Sequence, residues 1–585
     1  MKKKWMIVCS FVFIFSACQQ NGNEKTPGSA DTGFQQVSES FISGYLAWRP
    51  QTAVSLGFHE YDGKLSDLSK PSISQELSRL KDYVHQLNAI DTSALSEKMF
   101  YDFRILRNAI EAEIFDFEDL QAYVKNPMTY AGMIDANLYI KRNYAPLEKR
   151  IRAIIAMENL APKEYENAKS NLQDSLAKPY IDMAIQIAQG TSAFLGKDLI
   201  TALKEVKNDT LMEQFKVSNK TAINAINGFV SWLQKEKLPK AHNHYAIGRE
   251  NYQKMLLYNE GISLSPDQIL ELGLRELKKE QVVFNTTAKI INPNKKPVDV
   301  YNDLKNEHPS AQNLIPDVRK NLDSIRQCTI DRKITTMPSA VRVKVEETPP
   351  YARETSTASM DTPGPFETNA TEAYYYITPV NPLWTKVQQE DWLKSFNYYT
   401  TDIVSIHEAY PGHYTQFLHL NASSTTKIEK IFGSYAFVEG WAHYCEKMML
   451  DEGYGNNGDS IRAAKYRLAQ SGDALLRICR LCVSVKTHCQ GMSVDEATQF
   501  LMDNWYQGDK PSRQEALRGT FDPGYLFYTV GKLEILKLRE DYQAQEGSHF
   551  SLLKFHDQIL DNGMPPIILL RELLLKDKSR WDKIL

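Results

Sequence analysis

Three side chains in one short segment, and a fourth further along, carry the chemistry this sequence can do. In His407-Glu408-Ala409-Tyr410-Pro411-Gly412-His413 a carboxylate stands beside one imidazole, and a second imidazole follows a Pro-Gly pair. Imidazoles hold divalent metals, zinc above all, and a glutamate beside the first ligand is placed to take a proton from an activated water. The usual arrangement has its histidines four residues apart, about 40° from eclipsed on a helix, whereas a separation of six leaves them about 120° from eclipsed. An uninterrupted helix cannot bring His407 and His413 together. Pro411 lacks an amide hydrogen and crowds the preceding turn, and Gly412 permits unusual torsions, so the pair predicts a helix break that swings His413 back. Phe437-Val438-Glu439-Gly440-Trp441-Ala442 offers a third ligand, Glu439, after enough chain for a helix, a turn and a return. His407, His413 and Glu439 around Zn2+ leave a position open, as catalysis requires, with Glu408 as general base. The reaction class implied is metal-assisted amide hydrolysis.

These groups need a rigid frame, and the sequence reads as mainly α: a large helical bundle scaffold with a small β-sheet beside a deep zinc-site cleft. From about Phe41 to Gln327 the apolar residues recur at helical spacing. Ser265-Pro266-Asp267-Gln268 is a helix start with a capping box, followed by Ile269, Leu270, Leu272, Leu274 and Leu277 as a buried face. Between Lys333 and Pro379 the texture changes. Val341, Val343 and Val345 alternate with charged residues, and Tyr374-Tyr375-Tyr376-Ile377 is β-prone, with a Pro-rich loop between them. Helical patterning returns after Trp392, and Gly491 followed by Ser493-Val494-Asp495-Glu496 marks one helix ending and another beginning. The expected units are a helical N-terminal sub-domain over 41–330 and a catalytic sub-domain over 331–585.

At 585 residues, with 42% hydrophobic and 24% charged side chains, the composition is that of a folded globular protein rather than a disordered or fibrous one. A formal charge of -3 gives no field that would recruit nucleic acid. Lys2, Lys3 and Lys4 precede an apolar stretch from Trp5 to Phe15, too short for a membrane span and laid out as an export signal. Phe15-Ser16-Ala17-Cys18 resembles a bacterial lipobox with Phe15 where leucine is usual, which makes Cys18 the expected lipidation site. Ordinary cleavage near Ala17 is the other outcome. The signal occupies 1–18 and a flexible tether 19–40, so the only membrane attachment expected is the lipid anchor, on the outer membrane or the periplasmic face. Cys328, Cys445, Cys479, Cys482 and Cys489 are an odd set that implies no disulfide framework, and Cys479 and Cys482 read as buried thiols.

The His-Glu-x-x-Pro-Gly-His and Glu-Gly-Trp-Ala segments together resemble the signature of the domain-of-unknown-function 885 family of bacterial proteins. That family is in turn similar to zinc peptidases of the angiotensin-converting enzyme and neurolysin type, which enclose a channel between helical halves. The resemblance covers nearly everything after Phe41, including Phe521-Asp522-Pro523-Gly524-Tyr525 through Gly531 and Phe555-His556-Asp557 with Asn562-Gly563. It implies peptide substrates, and it implies Tyr528 and His488 as donors to a tetrahedral oxyanion. His556 beside Asp557 is either a substrate-orienting residue or part of the packing. Two departures stand out: Tyr414 replaces a second histidine found in many members, and His443 occupies a position where leucine is common. His443 lies four residues after Glu439 on the same helical face, so it either backs the metal ligands or competes with them.

The expected function is a zinc-dependent metallopeptidase that hydrolyses short peptides in the cell envelope. A non-catalytic peptide-binding lipoprotein and a metal-dependent cell-wall amidase are the competing expectations. An intact Glu408 argues against the binder, which has no use for a carboxylate beside the first ligand.

Overall fold

The computed structural model describes residues 28–585 apart from 350–352, 354–356 and 424, so the export signal and Cys18 lie outside the described residues. The architecture is mainly α with one three-stranded sheet. No described helix is long and apolar enough to cross a membrane.

The chain enters on the helix Ser29–Trp48, whose Phe34, Phe41, Ile42 and Leu46 are buried against the helices Lys70–Asn88 and Glu97–Glu118. Of the expected tether over 19–40, residues 29–40 are helical instead, and 19–27 lie outside the described residues. The apolar residues at 34, 41, 42 and 46 lie on one face of a helix and are strong enough to fold 29–40 onto the body. Behind it, the long helices Leu147–Asn171 and Asp209–Trp232 pack through Ile151, Ile154, Phe215, Ile226 and Phe229. The helix Pro266–Ile291 starts on the expected box, with Ser265 and Gln268 capping each other reciprocally, but Leu274 is exposed rather than buried. It lies along the helix Ser460–Gln490, which ends at Gly491 in a left-handed conformation before the Ser493 and Glu496 box opens Val494–Trp505.

Residues from either side of position 330 share cores: Phe115, Tyr252, Leu256 and Ile269 pack with Ala436, Leu481, Val530 and Ile584. A separate core gathers Ile403, Ile406, Phe437, Trp441, Tyr444, Met448, Ile535 and Leu538 around the elements that carry the candidate ligands. The five described cysteines are free, with Cys445, Cys479 and Cys482 buried.

The sheet has the order β1 (Lys344–Glu347), β3 (Tyr374–Ile377), β2 (Ala358–Asp361). The central β3 runs parallel to β1, with Val345 opposite Tyr375, and antiparallel to β2, with Met360 opposite Tyr375. Val343, Val345, Tyr375 and Ile377 turn inward, while Val341 precedes the strand and is exposed. The β2 strand falls inside the expected loop, because Ala-Ser-Met-Asp has no β-branched signal of its own and is held by pairing with β3.

Candidate metal centre

The helix Tyr398–Glu408 begins on Asn397, whose side chain accepts from Thr400 N at 3.0 Å, and buries Ile403 and Ile406. It delivers His407 and Glu408 at its final turn. There the helix breaks, and a new one, His413–Ala422, starts five residues on. Gly412 is confined so closely that a Cβ on it would lie 1.8 Å from His407 O, so no other residue fits without moving the backbone. The break is anchored on all sides. Gly412 N donates to Ile406 O at 3.0 Å, Trp441 Nε1 to Pro411 O at 2.9 Å, and Thr415 N to Ala409 O at 3.2 Å. Val343 N donates to the Tyr410 hydroxyl at 3.1 Å and Tyr414 donates to Val341 O at 3.2 Å, so the approach to β1 braces the same segment. The expected return of His413 follows: its ring meets that of His407 edge-on, with centroids 4.8 Å apart.

The third member comes from the helix Tyr435–Asp451, which starts on Ser434. Glu439 Oε2 lies 3.5 Å from His407 Nε2 and 3.6 Å from His413 Nε2. One ligand atom from each residue falls within 4.8 Å of the others. Tetrahedral zinc with bonds of about 2.0–2.1 Å sets neighbouring ligand atoms roughly 3.4 Å apart, close to what is found. Glu439 Oε2 is buried with no hydrogen-bond partner, a cost that a cation between the three residues would remove. The residues present therefore fit a zinc ion. The helix can approach closely because Gly440 meets Gly531 on the helix Phe527–Glu546, where a Cβ on Gly531 would lie 1.8 Å from Ala436 O.

Behind the cluster stands a residue that sequence reasoning missed. Glu446 Oε1 lies 2.8 Å from His407 Nδ1, and its Oε2 lies 3.1 Å from His443 Nδ1. Arg477 Nη2 reaches Glu446 at 3.2 Å, and Lys532 Nζ reaches His443 Nε2 at 3.4 Å. With its Nδ1 proton given to Glu446, His407 presents Nε2 to the cluster, the orientation a carboxylate partner imposes on a metal-binding imidazole. Burial alone would raise the Glu446 pKa, yet Arg477, His443 and His407 hold it well below the usual carboxylate range. Burial also works against charge on His407, but the nearby carboxylates of Glu439 and Glu446 outweigh it and raise its pKa to about 9. His443 goes the other way, lowered to about 3 by burial and by Lys532. His443 thus sits behind the ligands through Glu446 rather than among them. The available signal was spacing, since Glu446 lies two helical turns after Glu439, but nothing local distinguishes it from a solvated glutamate.

Glu408 is half-buried, and no side-chain hydrogen bond engages it among the described residues. Beside it Ser405 donates to the Tyr375 hydroxyl of β3 at 3.4 Å. Tyr528 is half-buried, its ring 5.8 Å from that of Tyr435, one turn before Glu439. His488 is not brought to this cluster. It is buried, with Nε2 2.8 Å from Gly519 O and Ile247 N donating to Nδ1 at 3.3 Å, so both ring nitrogens serve the backbone. That corrects its assignment as an oxyanion donor. His556 is likewise committed to packing, between the Tyr444 hydroxyl at 2.8 Å and Ile334 O at 2.7 Å. A cavity of about 380 Å³ opens by the start of the His407 helix, lined by Asn397, Thr400, Asp473 and Trp505.

The fold and site define a helical bacterial protein with a preformed His, His, Glu cluster. Residues 50–574 match the family described as bacterial protein of unknown function (DUF885), and the chain belongs to that family. A "putative lipoprotein of unknown function" from Shewanella oneidensis superposes with a TM-score of 0.78 at 25% identity, covering 93% of this chain and 100% of that one. A "putative lipoprotein" from Colwellia psychrerythraea shares the fold with a TM-score of 0.74 at 18% identity, covering 95% of this chain and 98% of that one. No curated protein matches the chain.

Proposed function

We propose that this protein is a zinc metallopeptidase that cleaves short peptides at the cell envelope. The observation that carries the reading is the orphaned Glu439 Oε2 between two imidazole nitrogens at 3.5 and 3.6 Å, with Glu408 adjoining the first of them. Bound zinc would polarise the peptide carbonyl and make a water acidic near neutral pH. Glu408 takes the proton of the attacking water and hands it to the leaving amine, for which its freedom from other hydrogen bonds suits it. Glu446 keeps His407 oriented throughout. Tyr528 donates its hydroxyl to the oxygen of the cleaved carbonyl as charge develops there. The lipobox-like Phe15-Ser16-Ala17-Cys18 supports an exported, lipid-anchored chain, and the two structural neighbours described as lipoproteins support the same reading.

The test is metal content and cleavage of a mixed short-peptide library by the wild type, Glu408→Gln and His413→Ala. One zinc per chain, with Glu408→Gln retaining metal but losing on the order of 10²–10⁴ in rate, is the expected result. His413→Ala should lose metal and turnover together. A zinc-free wild type that binds peptides without cutting them would replace the enzyme with a binding lipoprotein.

A further inference from the structure

One helical turn before Glu439, about 6 Å along the same face, stands Tyr435. Its hydroxyl accepts from Arg518 Nη2 at 3.4 Å. The neighbouring Tyr528 ring is surrounded by guanidinium groups, with Arg480, Arg477 and Arg518 at 5.2, 5.8 and 6.0 Å from its centroid. Each cation already has an acidic partner. Arg480 gives Nε and Nη2 to Glu515, both at 2.8 Å, and Arg518 gives the same edge to Asp522 at 2.9 and 2.8 Å. Arg477 faces Glu446 at 3.2 Å and Asp473 at 3.6 Å.

Those pairs do not exhaust the donors. A guanidinium carries five N–H groups in a planar fork, and a carboxylate accepts along one edge. Among the described residues, Nη1 of Arg480 has no protein acceptor, Arg518 keeps one of its five N–H groups after Asp522, Tyr435 and Tyr528 are served, and the buried Nε of Arg477 has no partner. Arg518, Tyr435 and Tyr528 are half-exposed, whereas Arg480 is buried behind them, so the first three can be reached by a ligand. Tyr435 accepts from Arg518, which leaves its own hydrogen to donate. Fixed guanidinium and hydroxyl donors left over from these pairs, beside a cluster that would hold a metal, are suited to a second, mobile carboxylate.

We propose that Arg518 and Tyr435, backed by Arg480, bind a carboxylate of the peptide substrate and thereby select the bond to be cut. The inference rests on the peptidase reading and names its substrate class. A turn of about 6 Å corresponds to roughly two extended residues at about 3.3 Å each, so the bound carboxylate sets the scissile bond one or two residues away. The carboxylate is either the chain terminus or an acidic side chain close to that bond.

Three peptides of one core sequence separate these sources: a free C-terminus without acidic residues, the same peptide amidated, and an amidated peptide with one glutamate near its end. Hydrolysis and calorimetric binding of each are compared for the zinc-loaded full chain and Arg518→Gln. The proposal expects the free-terminus or the glutamate peptide to be favoured over the plain amide ten- to hundredfold in KM, with kcat little changed and the preference lost in Arg518→Gln. Equal hydrolysis of all three, or a preference that survives Arg518→Gln, overturns it. If no peptide is cut, the peptidase reading fails. Carboxylate-selective binding that disappears in Arg518→Gln would then still uphold the subsite, and unselective or absent binding would end it too.

Discussion

Glu446 and Glu158 are both shielded completely from solvent, one behind the candidate metal centre and one between the helices Leu147–Asn171 and Asp209–Trp232. Their surroundings differ. Glu446 meets Arg477, His443 and His407, and these groups overcome burial and keep it ionised. Glu158 accepts from Ser218 Oγ at 2.5 Å and from Asn219 Nδ2 at 2.9 Å, two neutral donors, and burial pushes it up to about 7. Burial disfavours charge at both positions, so the deciding variable is whether a cation comes with it. A carboxylate kept charged against that tendency, one hydrogen bond from a potential ligand, is organised for a task that packing does not require.

The largest consequence concerns Glu446→Gln. An amide cannot take the His407 Nδ1 proton as a carboxylate does, and it leaves Arg477 with only Asp473 at 3.6 Å. Zinc affinity measured by chelator competition should fall about 10- to 100-fold. Stability measured by urea unfolding should fall by roughly 3–5 kcal/mol, as when one partner of a buried ion pair is removed. Zinc affinity within twofold of the wild type would show that Glu446 does not orient His407, and the contrast with Glu158 would shrink to one of structure.

This contrast also marks what was legible in the sequence. The break at Pro411 and Gly412, the return of His413 and the position of Glu439 follow from local rules: helical angles, a missing amide hydrogen, a residue without a Cβ. The strand Tyr374–Ile377 and the Ser265 and Ser493 helix starts are equally local. Glu446 and the true role of His488 are not. Whether a glutamate is a solvated charge or the partner of His407, and whether a histidine faces a site or the Gly519 carbonyl, depends on which helices pack together. The β2 strand and the early start of the first helix were missed for the same reason, since contact with the rest of the chain stabilises both.

Glu158→Gln should have the opposite sign to Glu446→Gln and a smaller size. The ordinary carboxyl value is 4.5 and the folded value about 7, so between these pH values the folded chain holds a proton that the unfolded chain has released. Stability therefore falls as pH rises through that window, by at most about 1.4 kcal/mol per unit, and levels off above it. Glu446 contributes in the reverse sense: its stabilisation is present above the unfolded value and is lost only as pH falls towards its depressed folded value. Unfolding free energies of metal-free wild type and Glu158→Gln should thus agree near pH 4.5 and diverge by pH 8, with the glutamine variant the more stable. Parallel curves would mean that Glu158 is ionised in the fold and that its resemblance to Glu446 is closer than argued.

The smallest effect tests the donors themselves. Ser218 lowers the Glu158 pKa against burial, so Ser218→Ala should move it further above 7 and extend the pH-dependent loss of stability upward. The lost hydrogen bond should itself cost about 1 kcal/mol, measurable at pH 5, where Glu158 is largely protonated in the fold and the bond to serine is between neutral groups. Should Ser218→Ala instead cost several kcal/mol at pH 8 and little at pH 5, the serine would be supporting an ionised carboxylate. Glu158 would then resemble Glu446 in being a buried charge, sustained by hydroxyl and amide donors in place of a guanidinium.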